Sequence, residues 1–181
     1  QIIWFKDCSY ENKHLVGGKC SSLGELHAIS RRIGFSIGDG FAITTEMYDD
    51  FVENNDLGPK IEKMLATINT ENIKELEEKT KELRDVICGA SLTESQIAAI
   101  SIGYYDMCKL YNRENIEVAV RSSALAEDLP NASFAGQHDS YLNVVGEQAL
   151  LTSVKECFAS LFNSRAVSYR KTHNIQLSDV K

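Results

Sequence analysis

The sequence contains no hydrophobic run that approaches the ~20 apolar residues of a membrane-spanning helix. It begins with Gln1 rather than Met, and its first residues have neither a basic start nor a long apolar stretch. We therefore expect no signal peptide and no membrane partner, and we expect that the natural start is missing or trimmed. Only Pro59 and Pro130 are prolines, and no repeat or low-complexity tract divides the chain. Residues 1–181 are accordingly interpreted as part of one domain.

The cysteines and histidines show no metal-binding or disulfide pattern. There are five cysteines, an odd number, and no two of them form a C-x-x-C pair. This scattered set is typical of reduced thiols in a cytoplasmic protein. The four histidines are equally dispersed and do not predict a zinc site.

Positive charge is scarce. The chain has 19 Lys and Arg against 26 Asp and Glu, for a formal net charge of −7. Nonspecific nucleic-acid binding requires many cationic contacts to phosphates, so we expect no nucleic-acid partner. A nucleotide needs only a few local cations, and the composition leaves nucleotide binding open.

The spacing of apolar residues predicts an α+β fold, a small sheet with several helices. Strands are predicted over residues 2–5, 41–44, 117–121 and 140–145. Helices are predicted over about 19–33, 45–52, 61–65, 73–87 and 93–111, with one long final helix from about 150 toward 170. Capping boxes are expected at Ser22 with Glu25 and at Thr93 with Gln96. Thr45 is expected to cap the second helix, and Gly34 to end the first.

Four apolar side chains of the first predicted helix recur at helical spacing, and they predict its buried face: Leu23, Leu26, Ile29 and Ile33. The helices at 73–87 and 93–111 carry similar sets, which extend from Ile73 to Ile87 and from Ile97 to Tyr111.

Arg121 is the first candidate for binding chemistry. It ends the predicted strand of residues 117–121, and Ser122 and Ser123 follow it directly. A loop of small residues can bring backbone N–H groups to a phosphate, and a guanidinium can hold two phosphate oxygens. On these residues alone, a surface salt bridge followed by a turn is the more common explanation.

Lys19 is the second candidate. It follows Gly17 and Gly18 and precedes the first predicted helix. Glycines allow close approach to a ligand, and a helix N-terminus favours anions. The pattern is not the G-x-x-x-x-G-K-[ST] phosphate loop, so the generic motif is a weak signal by itself.

Three longer blocks, taken together, resemble one family. They are residues 118–137 (VAVRSSALAEDLPNASFAGQ), 15–26 (LVGGKCSSLGEL) and 156–170 (ECFASLFNSRAVSYR). Their wording and order are similar to the nucleotide-binding domain shared by phosphoenolpyruvate synthase, pyruvate phosphate dikinase and rifampin phosphotransferase. Cys20 departs from the family pattern, which usually has Gly or Asn there.

The resemblance implies roles for individual residues. Lys19 and Arg121 match the family's phosphate-binding cations. Gly136 and Ser140 match positions that line the nucleotide in the rifampin phosphotransferase branch. Glu127 and Asp128 are expected to structure their loop rather than bind magnesium, because the family's metal carboxylates lie further along the chain. Ser122, Ser123 and Ser133 could either cradle phosphate or cap a turn.

The resemblance also implies the first subdomain of an ATP-grasp-type domain, with the Lys19 helix and the Arg121 loop on one side of a single small sheet. ATP and Mg²⁺ are then the expected cofactors, with the metal ligands outside this chain. The implied enzyme converts ATP, pyruvate and water to phosphoenolpyruvate, AMP and phosphate through a phosphohistidine in another domain. The isolated chain is expected to be inactive, and a homodimer is a possible assembly. Rifampin phosphotransferase and a non-catalytic nucleotide-binding module are the alternatives.

Overall fold

The computed structural model describes residues 1–125, 138–173 and Ile175. The described part of the chain has an α+β architecture, as predicted. Its strands are β1 (Ile2–Trp4), β2 (Phe41–Ile43), β3 (Glu117–Arg121) and β4 (Ser140–Val145). Its helices are α1 (Lys13–Ile33), α2 (Thr45–Asn54), α3 (Leu57–Thr67), α4 (Ile73–Gly89), α5 (Glu94–Leu110), α6 (Glu147–Ser160) and α7 (Ser164–His173).

The strands form two separate antiparallel sheets, and the prediction of a single small sheet is wrong. Strand β1 pairs with β2, and β3 pairs with β4. In the described residues no strand pairing joins β2 to β3. The prediction failed because apolar alternation identifies strands but does not determine which strands are neighbours.

The β3–β4 pair fixes the position of the Arg121 strand end. Its register places Val118 opposite Val144, Val120 opposite Tyr141, and Arg121 opposite Ser140. The register shifts between Val118 and Val120, so β4 carries an extra residue there. Two of the predicted site residues, Arg121 and Ser140, therefore face each other across this pair of strands.

Helix α1 begins six residues earlier than predicted and buries a different face. Leu26, Ile29 and Ile33 are exposed, whereas small and polar side chains such as Ser21 are buried. The reason is close packing: a Cβ on Gly24 would lie 1.8 Å from the carbonyl oxygen of Cys8. Small residues let the helix approach the chain around Cys8, so the buried face of α1 does not follow its apolar pattern.

Helix capping was predicted partly correctly. The capping box of Thr93 and Gln96 opens α5, and Gly34 ends α1 in the left-handed conformation with φ 79°. Thr44, not Thr45, caps α2, since its hydroxyl accepts the N–H of Met47. The expected box at Ser22 and Glu25 is wrong, because α1 starts before both residues.

The long helix expected toward residue 170 is two helices. Helix α6 ends at Ser160, and the side chain of Asn163 accepts the N–H of Ala166 at 2.8 Å. An asparagine at this position satisfies a free N–H in the first turn of α7, and it thereby marks a new helix start. The continuing apolar pattern obscured this signal.

The helices pack on the strands through two large clusters of buried side chains. One cluster surrounds Phe51, Leu83 and Phe162, while the other joins α5 and α6 to both sheets around Ile100, Tyr104 and Val154. The prediction that Ile73 and Tyr111 point inward is wrong, because each lies at a helix end and is exposed. In the described residues, no single helix is long and apolar enough to cross a membrane; α4 and α5 meet that criterion only jointly, with an 86° bend between them.

Candidate functional site

The site is built around a break in helix α1. Gly17 has φ 75° and ψ 175°, which is not a helical conformation, and the helix continues after it. This backbone region is essentially restricted to glycine. A Cβ on Gly17 would lie 1.3 Å from the carbonyl oxygen of Ser123. Glycine is therefore required here both by the backbone conformation and by the contact with the segment after β3.

Two hydrogen bonds join the residues after this break to the same segment. The Lys19 Nζ donates to the carbonyl oxygen of Ser122 at 3.1 Å. The backbone N–H of Cys20 donates to Ser123 Oγ at 3.0 Å. Ser123 thus satisfies an N–H in the first turn after the break, in the manner of a helix cap supplied from a distant segment.

These bonds join the two segments that carry the predicted phosphate cations. Lys19 contacts the residue that directly follows Arg121, so both cations lie at the junction of α1 and β3. Both side chains are exposed. Among the described residues, no ion pair or hydrogen bond engages the Arg121 guanidinium. The structure thus gives no support to a surface salt bridge within the described chain.

The other predicted site residues fall into two groups. Ser140 is exposed and lies opposite Arg121 in the strand register. Gly136 lies outside the described residues, as do Glu127, Asp128 and Ser133. For Ser123, the structure shows the capping role, although the capped helix is α1 rather than a local turn.

A cavity of about 1000 Å³ opens beside this junction. Lys19, Arg121, Ser122 and Ser123 contribute to its lining, whereas Ser140 is not part of it. Much of the remaining lining is apolar, with Phe41, Val118, Leu150 and Val154 among its residues, and it also includes charged side chains: Asp39, Arg113 and Glu117. The cavity therefore combines charged side chains, Lys19 and Arg121 among them, with a largely apolar lining.

Tyr48 also lines the cavity. Burial raises the pKa of its phenol, and the nearby positive charge of Arg170 opposes this effect without cancelling it. The phenol is consequently neutral at physiological pH and can act as a hydrogen-bond donor.

The described residues do not fit a magnesium site. No group of three or more His, Cys, Asp or Glu side chains in the described chain is arranged to hold a metal ion. Mg²⁺ needs an oxygen-rich set of ligands, usually including carboxylates. No chemical step is therefore assigned to a metal bound by these residues.

Sequence reasoning singled out Lys19 and Arg121 but missed the contacts that position the segments carrying them. Gly17 and Ser123 are both visible in the sequence, but the contact between them joins residues about a hundred positions apart. No local spacing predicts such a contact.

Comparison with known proteins identifies the family. The family described as pyruvate phosphate dikinase, AMP/ATP-binding domain, matches residues 13–181. The chain belongs to this family. The predicted resemblance is thereby confirmed, and the junction of Lys19 and Arg121 lies in an AMP/ATP-binding domain.

Individual members of the pyruvate phosphate dikinase family support this assignment. The chain is 41% identical to phosphoenolpyruvate synthase of Aquifex aeolicus (strain VF5), over 94% of this chain and 20% of that protein. It is 41% identical to the phosphoenolpyruvate synthase of Helicobacter pylori (strain ATCC 700392 / 26695), over 93% of this chain and 21% of that protein. It is 40% identical to the phosphoenolpyruvate synthase of Synechocystis sp. (strain ATCC 27184 / PCC 6803 / Kazusa), over 96% of this chain and 22% of that protein. The chain spans about a fifth of the length of these relatives.

Proposed function

We propose that this chain is the ATP-binding portion of a phosphoenolpyruvate synthase and that the ATP phosphates lie between Lys19 and Arg121. The observation that carries the proposal is the hydrogen bond from Lys19 Nζ to the carbonyl of Ser122, the residue after Arg121, together with the cavity that Lys19 and Arg121 both line. A phosphate chain bound in that cavity would meet two positive charges. The family and the names of the relatives support ATP as the bound ligand.

The two cations would contribute differently. The guanidinium of Arg121 can hold two phosphate oxygens in a fixed plane, while the ammonium of Lys19 acts as a point charge on a flexible stem. Phosphoryl transfer depends mainly on positioning and on neutralisation of phosphate charge. Arg121 is thus suited to orientation, and Lys19 to charge neutralisation.

In the whole enzyme, ATP would be cleaved to AMP, and the β-phosphoryl group would pass to a histidine of another domain and then to pyruvate. The water consumed in the reaction would release the γ-phosphate. The 181 residues would form the first subdomain of an ATP-grasp-type domain, in which ATP is held between this part and a second subdomain. The magnesium ligands would belong to that second part, and the protein would work in the cytoplasm.

The alternative acceptor is a rifamycin, as in rifampin phosphotransferase, and a third option is a module that binds nucleotide without catalysis. The relatives named above are all phosphoenolpyruvate synthases, which favours pyruvate. In the longer protein, AMP formation that depends on pyruvate would support the proposal. AMP formation that depends only on a rifamycin would contradict it.

The proposed role of Arg121 is tested with Arg121→Ala and Arg121→Lys in the longer protein. Loss of a charge-assisted contact to phosphate costs roughly 1.5–3 kcal/mol, which weakens ATP binding by about 10- to 150-fold. We expect this loss for Arg121→Ala and a smaller one for Arg121→Lys, measured by titration with a fluorescent ATP analogue. Arg32→Ala is the matched control, since Arg32 is exposed on α1 and does not line the cavity.

A structural role for Arg121 predicts a different result. In that case Arg121→Ala would lower the melting temperature while added ATP stabilised the variant as much as the unmodified protein. Equal ATP-induced stabilisation together with unchanged AMP formation would remove Arg121 from the site.

A further inference from the structure

The two sheets rest side by side on the same helices. Ile2, Phe41 and Ile43 of the β1–β2 sheet pack against the cluster around Ile100 and Tyr104. Val118, Val120 and Val144 of the β3–β4 sheet pack against the same cluster. The two sheets therefore share one layer of α5 and α6 and one hydrophobic core, although no strand pairing connects them among the described residues.

The outer edge of β2 has no strand partner among the described residues. Phe5 N–H donates to the Gly40 carbonyl at 2.9 Å, and Thr44 N–H donates to the carbonyl of Gln1 at 3.1 Å. In an antiparallel pair, hydrogen-bonded residues alternate with residues whose backbone groups point away from the partner. Phe41 and Ile43 are the alternate residues, so their N–H and C=O groups point away from β1. No strand of the described chain pairs with that edge.

The cavity lies along this edge and along β3. Seven consecutive residues, 39–45, line it on the β2 side, and eight consecutive residues, 117–124, line it on the β3 side. Successive side chains of a strand point to opposite faces, so a strand whose consecutive residues all line one cavity presents its edge to it. We call this space the β2–β3 gap.

The β2–β3 gap is an open cleft, much larger than the voids found inside a close-packed protein. Protein interiors are close-packed, and their voids are rarely larger than a water molecule. The β2–β3 gap has a volume of about 1000 Å³, and the side chains of Phe41, Ile43, Val118 and Val120 beside it are only half-buried. Isolated two-stranded sheets are also marginally stable. The apolar lining and the unpaired edges together are the features that accept an additional strand.

We propose that the β2–β3 gap is filled by a β-strand from the part of the longer protein that lies outside these 181 residues. This strand would join the two two-stranded sheets into a single sheet of five strands. The relatives are about five times as long as the matched segment, so such a protein has ample chain to supply it. Alternate residues of the strand would be apolar, since one of its faces would lie against the apolar lining of the gap.

This proposal does not rest on ATP binding, because its evidence is the edge of β2 and the apolar lining of the gap rather than the two cations. Its first test is hydrogen exchange, resolved to single residues, in the 181-residue chain and in the longer protein. We expect exchange at Phe41 and Ile43 to slow by at least about tenfold in the longer protein, since a paired amide must open before it exchanges. Ala42 and Thr44, which already face β1, are the internal controls and should change less.

The alternation between these residues separates strand insertion from general stabilisation. Uniform slowing over residues 41–44 would contradict the proposal, as would no slowing. Slowing that ATP produces in the 181-residue chain alone would mean that nucleotide fills the gap instead. Slowing in the 181-residue chain that increases with its concentration would mean that a second copy pairs with the edge. Either result would overturn the proposal.

A pair of substitutions gives an independent test. Ile43→Pro removes an N–H that faces the gap, whereas Ile43→Ala keeps this N–H and removes most of the side chain. Proline is tolerated on an edge strand whose N–H has no partner, but it disrupts a paired strand. In each protein, the measured quantity is the melting temperature of Ile43→Ala minus that of Ile43→Pro. We expect this difference to be at least about twofold larger in the longer protein than in the 181-residue chain. Equal differences in the two proteins would overturn the proposal.

Discussion

The contact between Gly17 and Ser123 predicts a large effect of Gly17→Ala. The backbone at Gly17 has φ 75° and ψ 175°, and an alanine there would be strained by about 1–3 kcal/mol whatever its surroundings. The new Cβ would also lie 1.3 Å from the Ser123 carbonyl oxygen, which is well inside the contact distance. Helix α1 and the segment after β3 would have to separate, and the bonds made by Lys19 and Cys20 would be lost with them.

A matched control isolates the contact from the backbone strain. Gly34 has a similar φ of 79°, but a Cβ there would meet nothing within 4 Å. Gly34→Ala should therefore cost only the left-handed penalty, about 1–2 kcal/mol. Gly89→Ala should be neutral or stabilise by about 0.4–1 kcal/mol, because Gly89 has neither a positive φ nor a close neighbour.

Urea denaturation of the three variants measures these differences. We expect Gly17→Ala to lower the free energy of unfolding by at least about 3 kcal/mol, more than Gly34→Ala. In the longer protein, Gly17→Ala should also weaken ATP binding, because it separates Lys19 from Arg121, while Gly34→Ala should not. If Gly17→Ala cost no more than Gly34→Ala, the close contact would not exist in solution.

Two further results are expected. The isolated 181-residue chain should form no AMP from ATP, since its described residues hold no metal-binding cluster; AMP formation that Lys19→Ala abolishes would contradict this. The second concerns Glu147, whose carboxylate accepts hydrogen bonds from Ser101 at 2.5 Å and Tyr105 at 2.7 Å, and these bonds lower its pKa. Their stabilisation is complete above the ordinary pKa of 4.5 and is lost as the pH falls through the lowered value. Melting curves should therefore show Glu147→Gln to be less stable than the unmodified chain at neutral pH. As the pH is lowered, the melting temperature of Glu147→Gln should fall less than that of the unmodified chain. Equal falls in the two proteins would refute the linkage.

The features that sequence reasoning predicted correctly are those determined by local chemistry. Alternating apolar residues marked β3 and β4, and the spacing of Thr93 and Gln96 marked the start of α5. These signals lie within a few residues of one another. They reflect hydrogen bonds and side-chain directions that the nearby chain itself determines.

The buried face of α1 illustrates what local patterns do not determine. Leu26, Ile29 and Ile33 have the spacing of a buried stripe, yet they are exposed. The buried side of the helix instead contains Gly24, which allows the Cys8 carbonyl to approach closely. A small residue gives almost no hydrophobic signal, so the sequence pattern favoured the wrong side of the helix.

The arrangement of the candidate site depends on contacts between distant residues. Both hydrogen bonds that position the site, Lys19 to Ser122 and Cys20 to Ser123, join residues 103 positions apart. The resemblance of the motifs associated the two segments with one ligand, but it gave no geometry. The distances follow only from the packing of α1 against the end of β3.

The position of Arg121 links the two proposals physically. Arg121 ends β3, and β3 pairs with β4 while its other edge borders the β2–β3 gap. A strand inserted in the gap would restrain β3 on both sides and so fix the guanidinium relative to Lys19. ATP would then bind to a site in which β3 is already ordered. Its affinity would be higher, because binding would no longer have to supply the free energy of ordering β3. Because such coupling is reciprocal, bound ATP would in turn stabilise the inserted strand.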